Sequence, residues 1–194
     1  MAAFLKECLG ISDAALRKSI EGDSDWALVI KLHAYVEASL NFLLVKHFGD
    51  QRLEEVIAYL DISDRRRGKL AFIKALALLP REYRSFIQKL SELRNRVAHD
   101  VKNIDFDLKL YMESLDSKQF KEFADSLIPL RKRVLGFWAG KSVETAYKQI
   151  KTEPRYAILY GVLGIMLRIY QKQQVRKILA EGKLRRSKSN PKAP

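Results

Sequence analysis

Cysteine is almost missing from this 194-residue chain: Cys8 stands alone, so no disulfide closes within it. That excludes a fold stapled by disulfides and makes a reducing, cytoplasmic setting the expectation. Strand grammar is equally scarce. Runs that alternate apolar and polar residues are rare, and no Asn-Gly or Asp-Gly hairpin turn occurs. The spacings that mark several enzyme classes are absent too. One cysteine and three scattered histidines give no zinc-ligand pattern. No glycine-rich phosphate loop with its lysine is present, so neither a metal nor a cofactor is expected. Long hydrophobic runs are also lacking. The segment "YAILYGVLGIMLRIY", residues 156–170, meets Arg168 after roughly a dozen residues, whereas a spanning helix needs about 20. It reads as a buried helix, and a membrane partner is not expected. The opening "MAAFLKECLG" is too short and too charged to be expected to act as a signal peptide.

What the chain does have is helix punctuation. Ser12-Asp13 opens a short amphipathic segment that ends near Glu21-Gly22. Ser24-Asp25 caps a long helix that runs to Phe48 and stops at Gly49. Asp50 begins another, with Leu53, Val56, Ile57 and Leu60 at helical spacing. The basic knot "DRRRGK" precedes a helix carrying Leu70, Ile73 and Ala77, and Pro80 both ends that helix and suits the start of the next. Further on, Ser117 caps a helix with Phe120, Phe123, Leu127 and Ile128, which Pro129 is expected to kink or interrupt. "FWAGKS" reads as a turn, Ser142 caps a short helix, and Glu153-Pro154 starts a last long helix reaching Gly182. The expected fold is all-α: a helical bundle over residues 1–110, a helical extension over 111–182 packed on it, and a basic disordered tail over 183–194.

The net charge is +13, unevenly spread. From Arg168 onward nine Lys and Arg face one Glu, which leaves +5 for the first 167 residues. A basic terminus on a weakly charged body suggests an acidic partner, nucleic acid or anionic lipid. Gly161 and Gly164, inside an apolar helix, read as points of close packing.

Two helices repay reading by angle, at about 100° per residue. On the helix after Pro80, Phe86, Leu90, Leu93, Val97, Val101 and Ile104 form one stripe that must face a core. Gln88, Glu92, Asn95 and His99 fall on the opposite side within roughly 60° of one another, so His99 faces solvent or a partner. Arg94 lies about 140° from His99, at the stripe's margin. For the two to meet, Arg94 must curl around, the helix must distort, or the residues must come together across two chains. On the first long helix, Val29, Leu32, Val36, Leu40 and Leu43 form one apolar stripe, and Ala34, Ala38, Phe42 and Val45 a second. Between them runs a polar seam of His33, Glu37 and Asn41. A buried carboxylate needs a partner, and Arg94 is expected to pair with Glu37.

The stretch "LRNRVAH" resembles the signature of the HEPN superfamily: arginine, a polar residue, three variable positions, then histidine, matched by Arg94, Asn95 and His99. "LALLPREYRSFIQKLSELRNRVAHDV" is similar to the mannitol-operon-repressor branch of that superfamily, and the resemblance spans roughly residues 24–105. It implies a HEPN-like four-helix bundle that dimerises with the motifs facing each other. It also implies metal-independent endoribonuclease chemistry, with roles in growth arrest, phage defence or toxin–antitoxin control. Catalysis would rest on His99 as acid or base, Arg94 as phosphate stabiliser and Asn95 as orienting group, with Glu37 in support. The second apolar stripe would join the two-fold contact. Toxins of the superfamily that a nucleotidyltransferase silences carry a tyrosine two residues after the histidine; Val101 stands there, so that mode of silencing is not implied.

Phosphate contacts are expected from Arg65, Arg66, Arg67 and Lys69, and from Arg96, Lys102, Arg185 and Arg186, with Tyr83 placed to stack on a base. Three readings stay open. The first is a ribonuclease with RNA as substrate and an antitoxin or regulatory protein as partner. The second is a non-catalytic regulator similar to the mannitol repressor, and the third a peripheral protein whose basic C-terminal helix lies on anionic lipid.

Overall fold

The computed structural model describes residues 12–64, 66–99, 105–131 and 142–189, with Lys6 and Gly10 besides. It is 80% helical, and the described residues include no strand, so the fold is all-α. In chain order the helices are α1 (Asp13–Ile20), α2 (Asp25–Phe48), α3 (Glu54–Ala58), α4 (Lys69–Ala75), α5 (Arg81–Ala98), α6 (Leu108–Ser114), α7 (Ser117–Arg131), α8 (Val143–Thr152) and α9 (Pro154–Ser189). A 3-10 turn, Gln51–Leu53, precedes α3.

The punctuation of α2 works as its residue types require. Ser24 Oγ accepts the Ala27 N–H at 3.2 Å, and Gly49 takes the left-handed conformation (φ +74°) while its N–H bonds the Val45 carbonyl. The first apolar stripe is fully buried from Val29 to Leu43. The second is divided: Ala34 is exposed, Ala38 and Phe42 are half-buried, and Val45 is buried. The 3-10 turn and α3 lie against α2 and cover part of that stripe. By length and composition α2 would pass for a membrane-crossing helix, but half of its most apolar window is buried inside this fold.

Four long helices close around one core. α2 packs against α5, α5 against α7, α7 against α9, and α9 back against α2. Helices α7 and α9, expected as an extension lying on a bundle made by residues 1–110, thus supply two of its four walls. The core is continuous across residue 110, from Leu16 through Phe86 and Leu93 to Phe123, Leu127, Ile158 and Ile169. Gly161 shows how tightly the walls meet. A Cβ there would stand 2.7 Å from the Phe86 ring of α5 and from Leu127 Cδ2 of α7.

Several expected boundaries move for identifiable reasons. α3 is only five residues long, so Val56 points to water at 61% exposure despite its helical spacing. α4 ends before Ala77, which adopts φ +48°. Asp116, not Ser117, caps α7: its carboxylate accepts the Gln119 N–H at 2.7 Å, and Gln119 Oε1 accepts the Asp116 N–H in return. α7 is helical through Pro129 to Arg131, and α9 runs on past Gly182 to Ser189, into the segment expected to be disordered. Val101, Ile104 and the turn over residues 137–141 lie outside the described residues.

Candidate functional site: the end of helix α5

α5 starts directly after Pro80 and presents Phe86, Leu90, Leu93 and Val97 to the core, as its periodicity requires. Its last turn carries the motif. His99 keeps helical backbone angles (φ −77°, ψ −16°), and its N–H bonds the Asn95 carbonyl at 3.1 Å. The helix is therefore undistorted through His99, and the imidazole belongs to the Asn95 side, exposed to solvent. Arg94 reaches its neighbour on that side. Its Nη1 donates to Asn95 Oδ1 at 3.2 Å, which draws the half-buried guanidinium toward the face that Asn95 shares with His99.

The expected ion pair between Arg94 and Glu37 is not formed. Glu37 bonds Lys69 instead, Oε1 to Nζ at 2.6 Å, and Lys69 Nζ also donates to the carbonyls of Leu60 (2.6 Å) and Ala58 (3.1 Å). The Lys69 side chain is 0% exposed, so it is no phosphate contact. The loop before it explains why. Asp61 accepts N–H groups from Ser63 and Asp64, Asp64 accepts those of Arg66 and Arg67, and a Cβ on Gly68 would strike the Asp61 and Asp64 carbonyls. This tight double turn leaves Arg66 and Arg67 in solvent and sends Lys69 inward, onto Glu37 of α2.

With Glu37 committed to Lys69, Arg94 enters no ion pair among the described residues. It still acts electrostatically on His33. The His33 pKa is pushed down first by burial and then by the Arg94 charge, with Glu37 and Asp61 opposing. His33 Nε2 lies 3.2 Å from Ser91 Oγ, and Ser91 gives its hydroxyl proton to the Ile87 carbonyl. Ser91 must then accept from His33, which places a ring proton on Nε2. The seam residue is a satisfied packing histidine.

The C-terminal end of α5 is held from below by the start of α2. Trp26 Nε1 donates to the Val97 carbonyl at 3.1 Å, one of the helix-end carbonyls left without an intrahelical donor. Next to it, Asp25 bonds Arg155 of α9 through one oxygen and accepts the Leu108 N–H of α6 at 2.7 Å through the other. This junction ties α2, α5, α6 and α9 together beside the motif, and nothing in the spacing of these residues announced it.

The remaining expected contacts divide. Arg96 is exposed and lies over the Tyr111 ring at 5.2 Å, beside a cleft that Lys89, Glu92 and Glu122 also line. Tyr83 is 1% exposed and cannot stack on a base. Arg65 and Lys102 lie outside the described residues, as do the side chains of Arg185 and Arg186, although their backbone is helical. No group of three or more His, Cys, Asp or Glu able to hold a metal occurs among the described residues. Comparison with family models, with curated proteins and with solved structures returns no match for this chain.

Proposed function

We propose that the protein is a metal-independent endoribonuclease of HEPN type, acting in a cytoplasmic setting as a homodimer. One observation carries the reading: Arg94 is half-buried, bonded to Asn95 and unneutralised by any carboxylate among the described residues, on the same helix end as an exposed His99. A guanidinium so placed keeps its charge available for a phosphoryl group. Neutral or protonated imidazole is the side chain best suited to proton transfer near pH 7.

In the proposed step the ribose 2′-oxygen forms a bond to the adjacent phosphorus while the bond from phosphorus to the 5′-oxygen breaks. One His99 takes the 2′-hydroxyl proton, and a protonated His99 across a two-fold axis gives one to the leaving 5′-oxygen. Arg94 and the Asn95 amide stabilise the charge that gathers on the non-bridging oxygens. The 2′-hydroxyl as internal nucleophile makes RNA, not DNA, the substrate. A role in growth arrest or phage defence, restrained by an antitoxin or regulatory protein, would follow from the HEPN resemblance.

The test is cleavage of end-labelled RNA in EDTA. Wild type should leave 2′,3′-cyclic phosphate ends, and His99→Ala should slow cleavage by about 10²–10⁴-fold. Inert wild type that is folded and dimeric would remove the enzymatic reading. The regulator reading has an observation of its own, since Val175, Ile178 and Leu179 of α9 are exposed at spacings that put them on one side of the helix. A partner protein covering that stripe, lost on Ile178→Glu, would favour it.

A further inference from the structure

We infer that the cleft between α4 and the first half of α5 is a phosphate-binding site, separate from the motif, for a phosphoryl group carried on ribose. The cleft measures ≈ 380 Å³ and is lined by Lys74, Arg81 and Arg84 together with Ser63, Ser85 and Gln88. That size admits a nucleoside monophosphate or one nucleotide of a strand. Three cations line it and no carboxylate does. None of the three enters an ion pair among the described residues. The Nε of Arg84 is shielded from water and has no hydrogen-bond acceptor, an unusual state for a guanidinium.

Two further features point the same way. α5 spans 18 residues and begins at Pro80 with no side chain capping its first N–H groups, so its positive end is open beside Arg81 and Arg84. Leu70 and Ala71 supply an apolar wall where a ribose or base would rest. Ligand phosphate would thus meet arginine forks, a lysine, hydroxyls and a helix terminus, while its nucleoside would meet aliphatic surface.

The cleft also shares a face with the motif. At 100° per residue, Arg81, Ser85, Gln88, Asn95 and His99 lie within about 40° of one line along α5. Gln88 and His99 are about 16 Å apart along the axis. A strand anchored in the cleft would run toward His99 past Glu92, whose charge Lys89 offsets at 3.3 Å. The site is read by binding and stands whether or not the motif cleaves.

The experiment uses the full chain carrying His99→Ala, so that no probe is cut. Anisotropy of a labelled single-stranded ten-nucleotide RNA is followed against salt in EDTA, with AMP as competitor. Adding Arg81→Ala and Arg84→Gln should weaken RNA binding at least about tenfold and flatten the salt slope by about 1.4, the share of two single-strand phosphate contacts. AMP that displaces the RNA would show that one nucleotide fills the site; RNA that binds while AMP does not would show that a strand is needed. Either identifies the ligand. Unchanged affinity and slope in a variant of unaltered melting temperature would overturn the site. Should that variant melt early, Lys74→Glu and Ser85→Asp, both at exposed positions, must weaken binding equally, and failure to do so overturns it too.

Discussion

Two populations of cations share this molecule. Lys69, Arg155, Lys172 and Arg176 are held by the fold. Lys69 bridges Glu37 and two carbonyls; Arg155 bonds Asp25 and the Asp23 carbonyl. Lys172 reaches the Leu78 carbonyl after α4, and Arg176 the Lys46 carbonyl at the end of α2. A cation at the Lys46 carbonyl suits the negative end of α2. Lys74, Arg81, Arg84 and Arg94 instead have no carboxylate partner among the described residues. The formal charge of +13 does not distinguish the two sets. Part of the basic C-terminal segment, read from sequence as facing an acidic partner, turns inward to bond backbone carbonyls elsewhere in the fold.

If that division is right, substitutions should separate stability from binding. Arg94→Ala should show the largest effect on function, a loss of about 10²–10³ in cleavage rate, with the urea midpoint nearly unmoved. A collapse of stability would place Arg94 among the structural cations instead. Lys69→Met should do the reverse. It strips the partner from Glu37 and from two carbonyls, and should cost about 3 kcal/mol in urea denaturation while leaving RNA affinity intact in the folded fraction. Lys172→Met should cost about 1 kcal/mol through the Leu78 carbonyl it serves. The mildest test concerns the seam. Burial, then the Arg94 charge, lowers the His33 pKa in the folded state. The unfolded chain therefore binds more protons as pH falls below about 6.5, and stability must fall with it. That decline between pH 7.5 and 5.5 should shrink in His33→Gln; an unchanged slope would assign it to other groups.

Helix grammar was legible where local chemistry decides. Ser24 and Gly49 bound α2 as read, because a cap and a left-handed glycine act within one turn. Gly161 was legible as close packing, and the α5 stripe as core, since periodicity alone fixes them. Lys69 was not. Its burial follows from the double Asp turn of residues 61–68 closing onto α2, a long-range event with no periodic trace. The Glu37 partner was misread for the same reason: a polar seam signals that a partner exists, not which one arrives. Arg81 and Ser85 could have been found, because the 100° rule that grouped Asn95 with His99 extends to them. That α7 and α9 close a core with α2 and α5 was not legible, because sequence order does not reveal which helices become neighbours.

The bond from Trp26 to the Val97 carbonyl has a practical side. The chain has two tryptophans, Trp26 and Trp138, and the first has its indole N–H fixed on the last turn of the motif helix. Indole emission responds to the polarity and hydrogen bonding around that nitrogen. With Trp138→Phe, the molecule would carry one tryptophan, bonded two residues from His99, and a ligand that shifts the end of α5 would announce itself in light without a label.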